Sequence, residues 1–578
     1  MKIFTFDESA LLGRVRAVDT RRVNIHVSSD EDLRKARVGQ LVAVALPGPL
    51  DEWLVGVIAR VLKSLTTQTQ EDPLATEPTE QQSSVSEDVV VVNSVEVTLI
   101  GTISEDSNKR PKFTRSLVEV PEIDGKCYVL RDRQLESFMS ILSSQAAGEH
   151  SLDIGCYTLD ERAKAYLDGN KFFQRHAALL GSTGSGKSWA VAAILERAAR
   201  LPSANLIVFD LHGEYRNLTY ARHLRIPGPE ELGGTDEALI YLPHWLLNSE
   251  EMQALFIDRT EFTAHNQVMA FQELVSTEKR KTLEQIGNQE VLNAFTIDSP
   301  IPFSLDNVLQ GLTSLNEEME QGARGLKQGK FYGQFSRLLA RIGARLKDKR
   351  YGFLFQAPAA EHKYDAMARL AGKLMDYSKR SHSIKVIDFS EVPTEVLPVI
   401  VALVARLIYQ VQFWTDRDKR QPLALVCDEA HLYIARHEGA NPAELRAIEN
   451  FEKIAKEGRK YGVALVIVSQ RPSDVSPTVL SQCNNVLALR LTNGEDQSTV
   501  RRLMPESLES LMDVLPILDI GEAVVVGDAV LLPSRIRVRE PEEKPLSSTI
   551  DFWTEWDRTV PPPDFAKAVE NMRRQSRK

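Results

Sequence analysis

The sequence predicts an α/β fold in which a parallel sheet is covered by helices, with an inserted helical subdomain and a small β-barrel at the N-terminus. Two observations predict the sheet. Apolar runs alternate with long helical segments from residue 176 onward, and each run is apolar throughout, as in strands buried on both faces. The third observation, which predicts the barrel, is a series of β-rich runs at 41–47, 53–62 and 89–103.

Changes of pattern divide the chain into parts. These are the barrel at 1–140, the α/β core at 150–225 and 383–540, a helical, charge-rich insertion at 226–382 and a tail at 541–578. Within the barrel, the stretch at about 64–88 is polar and poor in large apolar side chains, which predicts a disordered loop. The tail carries an aromatic cluster that either docks on a neighbour or closes the core, namely Phe552, Trp553 and Trp556.

The core strands are predicted where apolar runs end in polar or glycine-rich turns. These runs lie at 176–181, 204–210, 383–389, 422–429, 463–470 and 485–491. Since ligands of open α/β sheets bind beyond the carboxyl ends of the strands, polar residues at those ends are candidates for function.

Composition is that of an ordinary globular protein. The 578 residues are 43% hydrophobic and 26% charged, no apolar run reaches the 18 or so residues of a membrane-spanning helix, and the N-terminus lacks a signal peptide's apolar core. We therefore expect a cytoplasmic protein without a membrane partner. The cysteines have no metal or redox spacing and are expected in the core: Cys127, Cys156, Cys427 and Cys483. The net charge of −10 argues against a uniformly basic surface, although a ring can enclose a positive channel, so DNA is not excluded.

A phosphate-binding pattern lies between the first core strand and a helical segment. The residues HAALLGSTGSGKS at 176–188 fit G-x-x-x-x-G-K-[ST]. A glycine-rich turn lets backbone N–H groups surround phosphate oxygens, and the positive end of the following helix faces the same anion. Lys187 is predicted to neutralise the β- and γ-phosphates of ATP, and the Ser188 hydroxyl to ligate Mg²⁺. The candidate nucleotide-binding residues here are Gly181, Gly184, Ser185, Gly186, Lys187, Ser188 and Trp189.

Other strand ends supply the remaining candidates for catalysis. Asp428 is predicted to hold Mg²⁺, directly or through water, and Glu429 to take a proton from the attacking water. Alone, such an acidic pair can simply cap a helix, but the phosphate-binding pattern favours catalysis. Gln470 is expected to contact the γ-phosphate or to orient the attacking water. The alternative is that it simply forms a polar turn at the end of the strand. Arg459, in a charged helix, either stabilises the transferring phosphoryl group across a subunit boundary or is part of a solvated helix end.

Five motifs in this order resemble the HerA family of hexameric DNA-translocating ATPases, in the HerA and FtsK branch of RecA-like P-loop motors. The motifs are RHAALLGSTGSGKS at 175–188, FDLHGEY at 209–215, CDEAH at 427–431, KEGRKYGV at 456–463 and SQRPSDV at 469–475. The β-rich start, with GRVRAV at 13–18, resembles the HerA-type barrel. The resemblance spans roughly residues 5–540, and the loop at about 64–88 is the main departure from it.

The resemblance implies a RecA-like P-loop ATPase core and assigns roles to residues. It implies the roles above for Lys187, Ser188, Asp428 and Glu429, with Gln470 as sensor. It also implies that Arg459 is an arginine finger acting on the neighbouring subunit's nucleotide, and that further residues reach nucleotide, namely Arg175, Ser534 and Arg535. The mechanistic role of the second-strand motif, Asp210 to Tyr215, does not follow from the sequence.

The function that the resemblance implies is an ATP- and Mg²⁺-dependent hexamer that translocates along double-stranded DNA. It further implies a separately encoded nuclease or Sir2-type effector, in antiphage defence or DNA-end repair. Such a motor grips phosphates rather than bases. Basic residues at 279–281 and 341–350 are candidates for that grip or solvated helix faces. Two alternatives stay open: an ATP-binding ring that organises and regulates an effector, and a conjugation-type DNA-transfer ATPase.

Overall fold

The computed structural model describes residues 3–48, 51–68, 88–108, 110–117, 119–148, 150–322, 325–378, 383–547, 551–559 and 563–574. The chain forms two compact units, the first made of residues 1–172 and 485–539 and the second of residues 173–484 and 540–578. The domain boundaries given above stay a prediction.

The N-terminal part of the first unit is a closed antiparallel barrel. Its strands are β1 (Leu11–Asp19), β2 (Arg22–Val27), β3 (Leu41–Ala45), β4 (Trp53–Gln68), β5 (Asp88–Glu105), β6 (Pro111–Thr114) and β7 (Lys126–Val129), with the short helix α1 (Asp30–Leu33) after β2. Six strands close in the order β2-β1-β7-β3-β4-β5, because β5 pairs back onto β2 with Val97 opposite Val23. Both valines are buried in the barrel core. The predicted barrel is confirmed.

The loop predicted at about 64–88 falls largely outside the described residues. Its first five residues belong to β4 and its last residue to β5, whereas 69–87 are not described. Helix α2 (Asp132–Ala146), strands β8 (Ser151–Tyr157) and β9 (Asp160–Asp168), and helix α3 (Gly169–Gln174) follow the barrel.

The second unit is built on a parallel sheet. In chain order its strands are β10 (Ala177–Leu180), β11 (Leu206–Asp210), β12 (Arg222–Arg225), β15 (Ile384–Asp388), β16 (Leu423–Cys427) and β17 (Val463–Ser469). They lie in the order β12-β15-β11-β16-β17-β10, and every pairing between them is parallel. Four of them, β10, β11, β16 and β17, are buried along their whole length, as expected beneath helices on both faces. The helices include α4 (Lys187–Ala198), α12 (Leu397–Trp414), α13 (Pro442–Glu457) and α14 (Pro477–Leu480). The predicted α/β class is confirmed.

The residues between β12 and β15 are mostly helical. They contain α5 (Ser249–Phe256), α6 (Ala264–Ile286), α7 (Gln289–Ala294), α8 (Leu305–Asn316), α9 (Ser336–Lys347), α10 (Gly352–Phe355), α11 (Ala366–Met375) and the hairpin of β13 (Met319–Gly322) and β14 (Gly325–Gln328). Asn248 and Glu251 form a capping box that starts α5. Glu251 also pairs with Arg406 of α12, with 2.7 Å between Nη2 and Oε2, in a buried ion pair. That pair ties the helical segment to a core helix.

Helix α12 corrects the expectation that no apolar run reaches membrane-spanning length. By length and composition its 18 residues are sufficient, and 78% of that window is buried inside the protein. In the sequence, Arg406 and Gln410 interrupt this apolar run. Since Arg406 finds its carboxylate partner within the fold, α12 packs here as a core helix.

Three further strands belong to the first unit: β18 (Asn485–Leu489), β19 (Glu522–Gly527) and β20 (Ser534–Val538), with α15 (Gly494–Arg502) after β18. The predicted strand at 485–491 is present, but its pairing with β19 is antiparallel rather than parallel. β20 is likewise antiparallel to β19 and to β8. The other five predicted runs are strands of the parallel sheet, together with β12.

The tail contains α16 (Phe552–Trp556) and α17 (Phe565–Arg574). Phe552, Trp553 and Trp556 are 59%, 81% and 72% exposed, so the aromatic cluster does not close the core. Of the cysteines, Cys127, Cys427 and Cys483 are buried and Cys156 is half-buried.

Candidate functional site

Three neighbouring strands of the second unit end at one edge of the sheet. Leu180 of β10 lies opposite Ser469 of β17, and Cys427 of β16 lies opposite Ile467 of β17. The segments that follow these strands are thereby brought together beyond the carboxyl ends, where open α/β folds bind ligands. The phosphate-binding pattern, the acidic pair and Gln470 all lie here.

The loop after β10 has the backbone of a phosphate cradle. Gly184 and Gly186 have φ values of 72° and 101°, a left-handed conformation that favours glycine. The Gly181 N–H donates to the Ser469 carbonyl at 3.2 Å, which anchors the loop on β17. Helix α4 begins at Lys187, and its N-cap residue, Gly186, has no side chain that could cap the first N–H groups. These donors and the positive end of the helix are available to an anion.

Lys187 lies inside this loop. Its Nζ donates to the Ser182 carbonyl at 3.2 Å, and the residue is only 7% exposed. Burial lowers the pKa of the ammonium, whereas Glu429 and Asp428 act in the opposite direction. The loop thus holds an amine next to two carboxylates.

Ser188 has a carboxylate partner that the sequence did not assign. Its hydroxyl donates to Oε2 of Glu214 at 2.7 Å. Glu214 lies in the loop after β11, which is fixed because the Asp210 carboxylate accepts from the backbone N–H groups of residues 212 to 215 at 2.8–3.3 Å. Asp210 therefore organises a loop that places Glu214 beside the phosphate-binding segment. The only sequence signal for this was the unexplained motif at 209–215.

Asp428 follows β16 directly and is 4% exposed. Its Oδ1 accepts from the Glu429 N–H at 3.0 Å. Burial raises the pKa of Asp428 well above its usual range, and the neighbouring carboxylates of Glu429 and Glu214 raise it further. A cation at this position would relieve that unfavourable charge.

Glu429 is linked by hydrogen bonds to the other two strand ends. The Gln470 amide donates to Oε1 of Glu429, and the Thr183 hydroxyl donates to Oε1 of Gln470. The backbone of Glu429 is left-handed, with a φ of 48°, an uncommon conformation for a residue other than glycine. Burial raises the pKa of Glu429, while Lys187 and the Gln470 amide act to lower it. The phosphate loop and the carboxylate therefore share one network.

The residues at this edge fit Mg²⁺. Among the described residues, the buried Ser185 Oγ and Glu429 Oε2 have no hydrogen-bond partner, although Glu429 Oε2 is 3.3 Å from His431 Nδ1. The Ser188 hydroxyl and the Asp428 carboxylate offer hard oxygen ligands, the type that Mg²⁺ prefers. No three His, Cys, Asp or Glu side chains in the described part of the chain form a metal cage. Mg²⁺ commonly binds one or two carboxylates together with nucleotide phosphates, which this arrangement allows.

Arg459 and Arg175 lie near the opposite edge of the sheet. Arg175 precedes the amino end of β10, and the exposed Arg459 precedes that of β17, so neither is brought to the chain's own phosphate loop. His176, which follows Arg175 in the chain, is buried; its Nδ1 accepts from the Leu465 N–H at 2.9 Å, leaving Nε2 to donate to the Ala455 carbonyl at 3.0 Å. For Arg459, no ion pair is found within the described residues.

The other candidates are dispersed. Trp189, in the first turn of α4, is 38% exposed, and the Lys544 ammonium lies 4.9 Å from its ring centroid. Ser534 and Arg535 begin β20 in the first unit. There Arg535 Nε donates to Glu522 Oε2 at 3.0 Å.

Two basic residues of the insertion already have partners within the fold. Lys279 is fully buried and donates to the carbonyls of Ile297 and Ser299 at 2.6 and 2.7 Å, so it is neither a DNA contact nor part of a solvated face. Arg341 pairs with Glu261 at 2.5 Å. The sequence did not predict these contacts because the partners lie far from the two basic residues along the chain.

The chain matches two family models. Residues 152–408 match the family described as helicase HerA, central domain, and residues 391–537 match the family described as helicase HerA-like C-terminal. It is similar to a probable helicase of Methanocaldococcus jannaschii, 26% identical over 69% of this chain and 68% of that protein. It is also similar to the DNA double-strand break repair helicase HerA of Saccharolobus solfataricus, 23% identical over 83% of this chain and 88% of that protein.

Solved structures with similar chains include VirB4 of Thermoanaerobacter pseudethanolicus. That match is 18% identical, covers 68% of this chain and 98% of that chain, and has a TM-score of 0.44. The plasmid coupling protein TrwB in complex with ADP and Mg²⁺ is 14% identical, covering 70% of this chain and 92% of that chain with a TM-score of 0.43.

Proposed function

We propose that this chain, which belongs to the HerA helicase family and is an ATP-hydrolysing DNA translocase, works as a hexameric ring on double-stranded DNA beside a separately encoded effector. The observation that carries the proposal is the hydrogen-bonded series of Thr183, Gln470 and Glu429. It joins a phosphate loop to a carboxylate at the ends of neighbouring strands. Such a series supports hydrolysis of ATP rather than binding alone.

In this proposal, ATP is bound by the loop at 181–188 with Lys187 facing the β- and γ-phosphates. Ser188 and Asp428 hold Mg²⁺, which when bound neutralises charge on the phosphates. Glu429 accepts a proton from the attacking water, a role that suits a carboxylate whose pKa burial has raised. Gln470 orients that water. Its hydrogen bonds also let it sense whether the γ-phosphate is present.

Arg459 and Arg175 act on the nucleotide of a neighbouring subunit. Their location near the amino ends of β17 and β10, away from the chain's own phosphate loop, supports this role. A guanidinium delivered in this way typically contributes about 10³- to 10⁵-fold to the rate. For Ser534 and Arg535 we propose nucleotide contacts within the assembled ring.

The ring grips DNA phosphates with little regard to base sequence, so binding weakens as salt rises. We place its action in the cytoplasm, with a nuclease or Sir2-type enzyme as the effector, in antiphage defence or repair of DNA ends. The exposed aromatic cluster of Phe552, Trp553 and Trp556 is available for contact with a neighbour.

The test is ATP hydrolysis with and without linear duplex DNA, with particle mass recorded on the same samples. We expect a ring whose hydrolysis is stimulated by duplex, less so at higher salt, and abolished in Lys187→Ala. The matched control is Lys363→Ala, which removes an exposed lysine remote in sequence from the site motifs. Slow hydrolysis that is indifferent to DNA, in an intact ring, would contradict the proposal and favour a ring that organises an effector.

A further inference from the structure

The Ser188 hydroxyl makes its hydrogen bond with a residue outside the acidic pair. It donates to Glu214 at 2.7 Å, whereas Asp428 accepts from the backbone of Glu429. A serine hydroxyl has one proton to donate and two lone pairs. When its proton is directed to Glu214, the hydroxyl oxygen can act toward any further partner only through its lone pairs. The carboxylate of Glu214 therefore sets the rotation of the hydroxyl.

Glu214 is held firmly enough to do this. Asp210 accepts from its backbone N–H at 3.0 Å, and its own carbonyl accepts from the Leu546 N–H of the tail at 2.7 Å. The preceding Gly213 has a φ of 73°, and a Cβ there would approach the Arg216 guanidinium to 2.5 Å. The backbone of Glu214 is thus anchored through both its N–H and its carbonyl.

The charge of Glu214 also acts on whatever binds at this edge. Burial lowers the pKa of the Lys187 ammonium, and the carboxylates of Glu429, Asp428 and Glu214 all oppose that shift. The immediate surroundings of the loop are therefore rich in negative charge. A nucleotide without metal is repelled by that excess, whereas a metal–nucleotide complex is favoured.

We propose that Glu214 is a positioning residue that makes nucleotide binding depend on Mg²⁺, by orienting the Ser188 hydroxyl and by adding negative charge beside the phosphate loop. The inference rests on the proposed function, since it assumes that the loop binds ATP. Asp210 and the backbone of the tail support Glu214 in this role.

The test measures the affinity of a fluorescent ATP analogue for the full-length protein in EDTA and in excess Mg²⁺. In wild type we expect Mg²⁺ to tighten binding. In Glu214→Gln we expect opposite changes in the two conditions: binding in EDTA becomes tighter and binding in Mg²⁺ weaker, each by on the order of tenfold. Loss of a purely structural contact would weaken both.

Two further variants keep the outcome interpretable. Glu214→Asp retains the charge with a shorter reach, so its binding in EDTA stays as weak as in wild type. Glu543→Gln is the matched control, because that carboxylate accepts from Thr219 in the same region. It is expected to behave as wild type.

The outcomes separate this inference from the proposed function. If Lys187→Ala binds the analogue as well as wild type does, the loop is not the nucleotide site and the proposed function fails. If Lys187→Ala abolishes binding while Glu214→Gln keeps the wild-type dependence on Mg²⁺, only the assignment of Glu214 is overturned. Equal weakening by Glu214→Gln in both conditions overturns it as well.

Discussion

The side-chain amide of Gln470 donates a hydrogen bond to Oε1 of Glu429, across the ends of β17 and β16. Its carbonyl oxygen accepts from Thr183, so the same residue reports on the phosphate loop. Two consecutive hydrogen bonds therefore connect the phosphate-binding segment to the proposed base. Movement of the loop when ATP binds would alter the position of Glu429.

Replacing Gln470 should affect catalysis more than binding. We expect Gln470→Ala to lower kcat by about 10- to 100-fold, because Glu429 and the attacking water lose a positioning contact. Nucleotide affinity should change little. Steady-state kinetics and equilibrium binding check this, with Gln482→Ala as the control for an exposed glutamine. An unchanged kcat would contradict the role.

The pH dependence of hydrolysis should report on Glu429. Its pKa is raised by burial, and the Gln470 amide opposes that shift by stabilising the charged form. Because hydrolysis needs the deprotonated carboxylate, activity falls as pH drops through this pKa. In Gln470→Ala the acid limb should move to higher pH. A limb that moves to lower pH would exclude Glu429 as the base.

Asp428 should reduce stability in the absence of ligand. Its raised pKa means that the folded state binds the proton more tightly than the unfolded state does, so stability is lost as pH rises from the unfolded to the folded pKa. Asp428→Asn removes the charge and keeps an oxygen for the Glu429 N–H. We expect it to increase the free energy of unfolding at neutral pH by ~1–3 kcal/mol, with no gain in acid. Thermal unfolding at several pH values measures this, and a destabilised variant at neutral pH would contradict it.

The action of Arg459 across subunits is open to a mixing experiment. Rings made only of Arg459→Ala or only of Glu429→Ala should hydrolyse little ATP. Mixed rings should recover part of the activity, because some interfaces then contain both wild-type groups. Native mass analysis verifies the mixture. No recovery in verified mixed rings would exclude the trans role.

Much of the sheet was predictable because a strand that is buried on both faces is apolar throughout, and such a run is visible in the sequence. The strands β11, β16 and β17 lie within the predicted runs, and their following polar residues meet as expected. The antiparallel pairing of β18 was not predictable in this way, since an apolar run does not encode the direction of its partner.

The site was predictable where one short segment carries the chemistry. Gly186 and Lys187 belong to such a segment, whereas the contact of Ser188 with Glu214 joins residues 26 positions apart through a loop organised by Asp210. Similarly, the burial of Lys279 depends on carbonyls of a later turn. Sequence identifies residue types at strand ends, but side-chain partners depend on how distant loops fold.

The most direct test of the central claim uses a third DNA strand bound to a linear duplex. Displacing that strand requires movement along the duplex, but it does not require separation of the two duplex strands. We expect wild-type rings to displace it only with ATP and Mg²⁺. Glu429→Gln should bind DNA and ATP without displacing it, while the exposed control Glu438→Gln should match wild type. Displacement by Glu429→Gln, or none by wild-type rings that hydrolyse ATP on the same DNA, would contradict ATP-driven translocation.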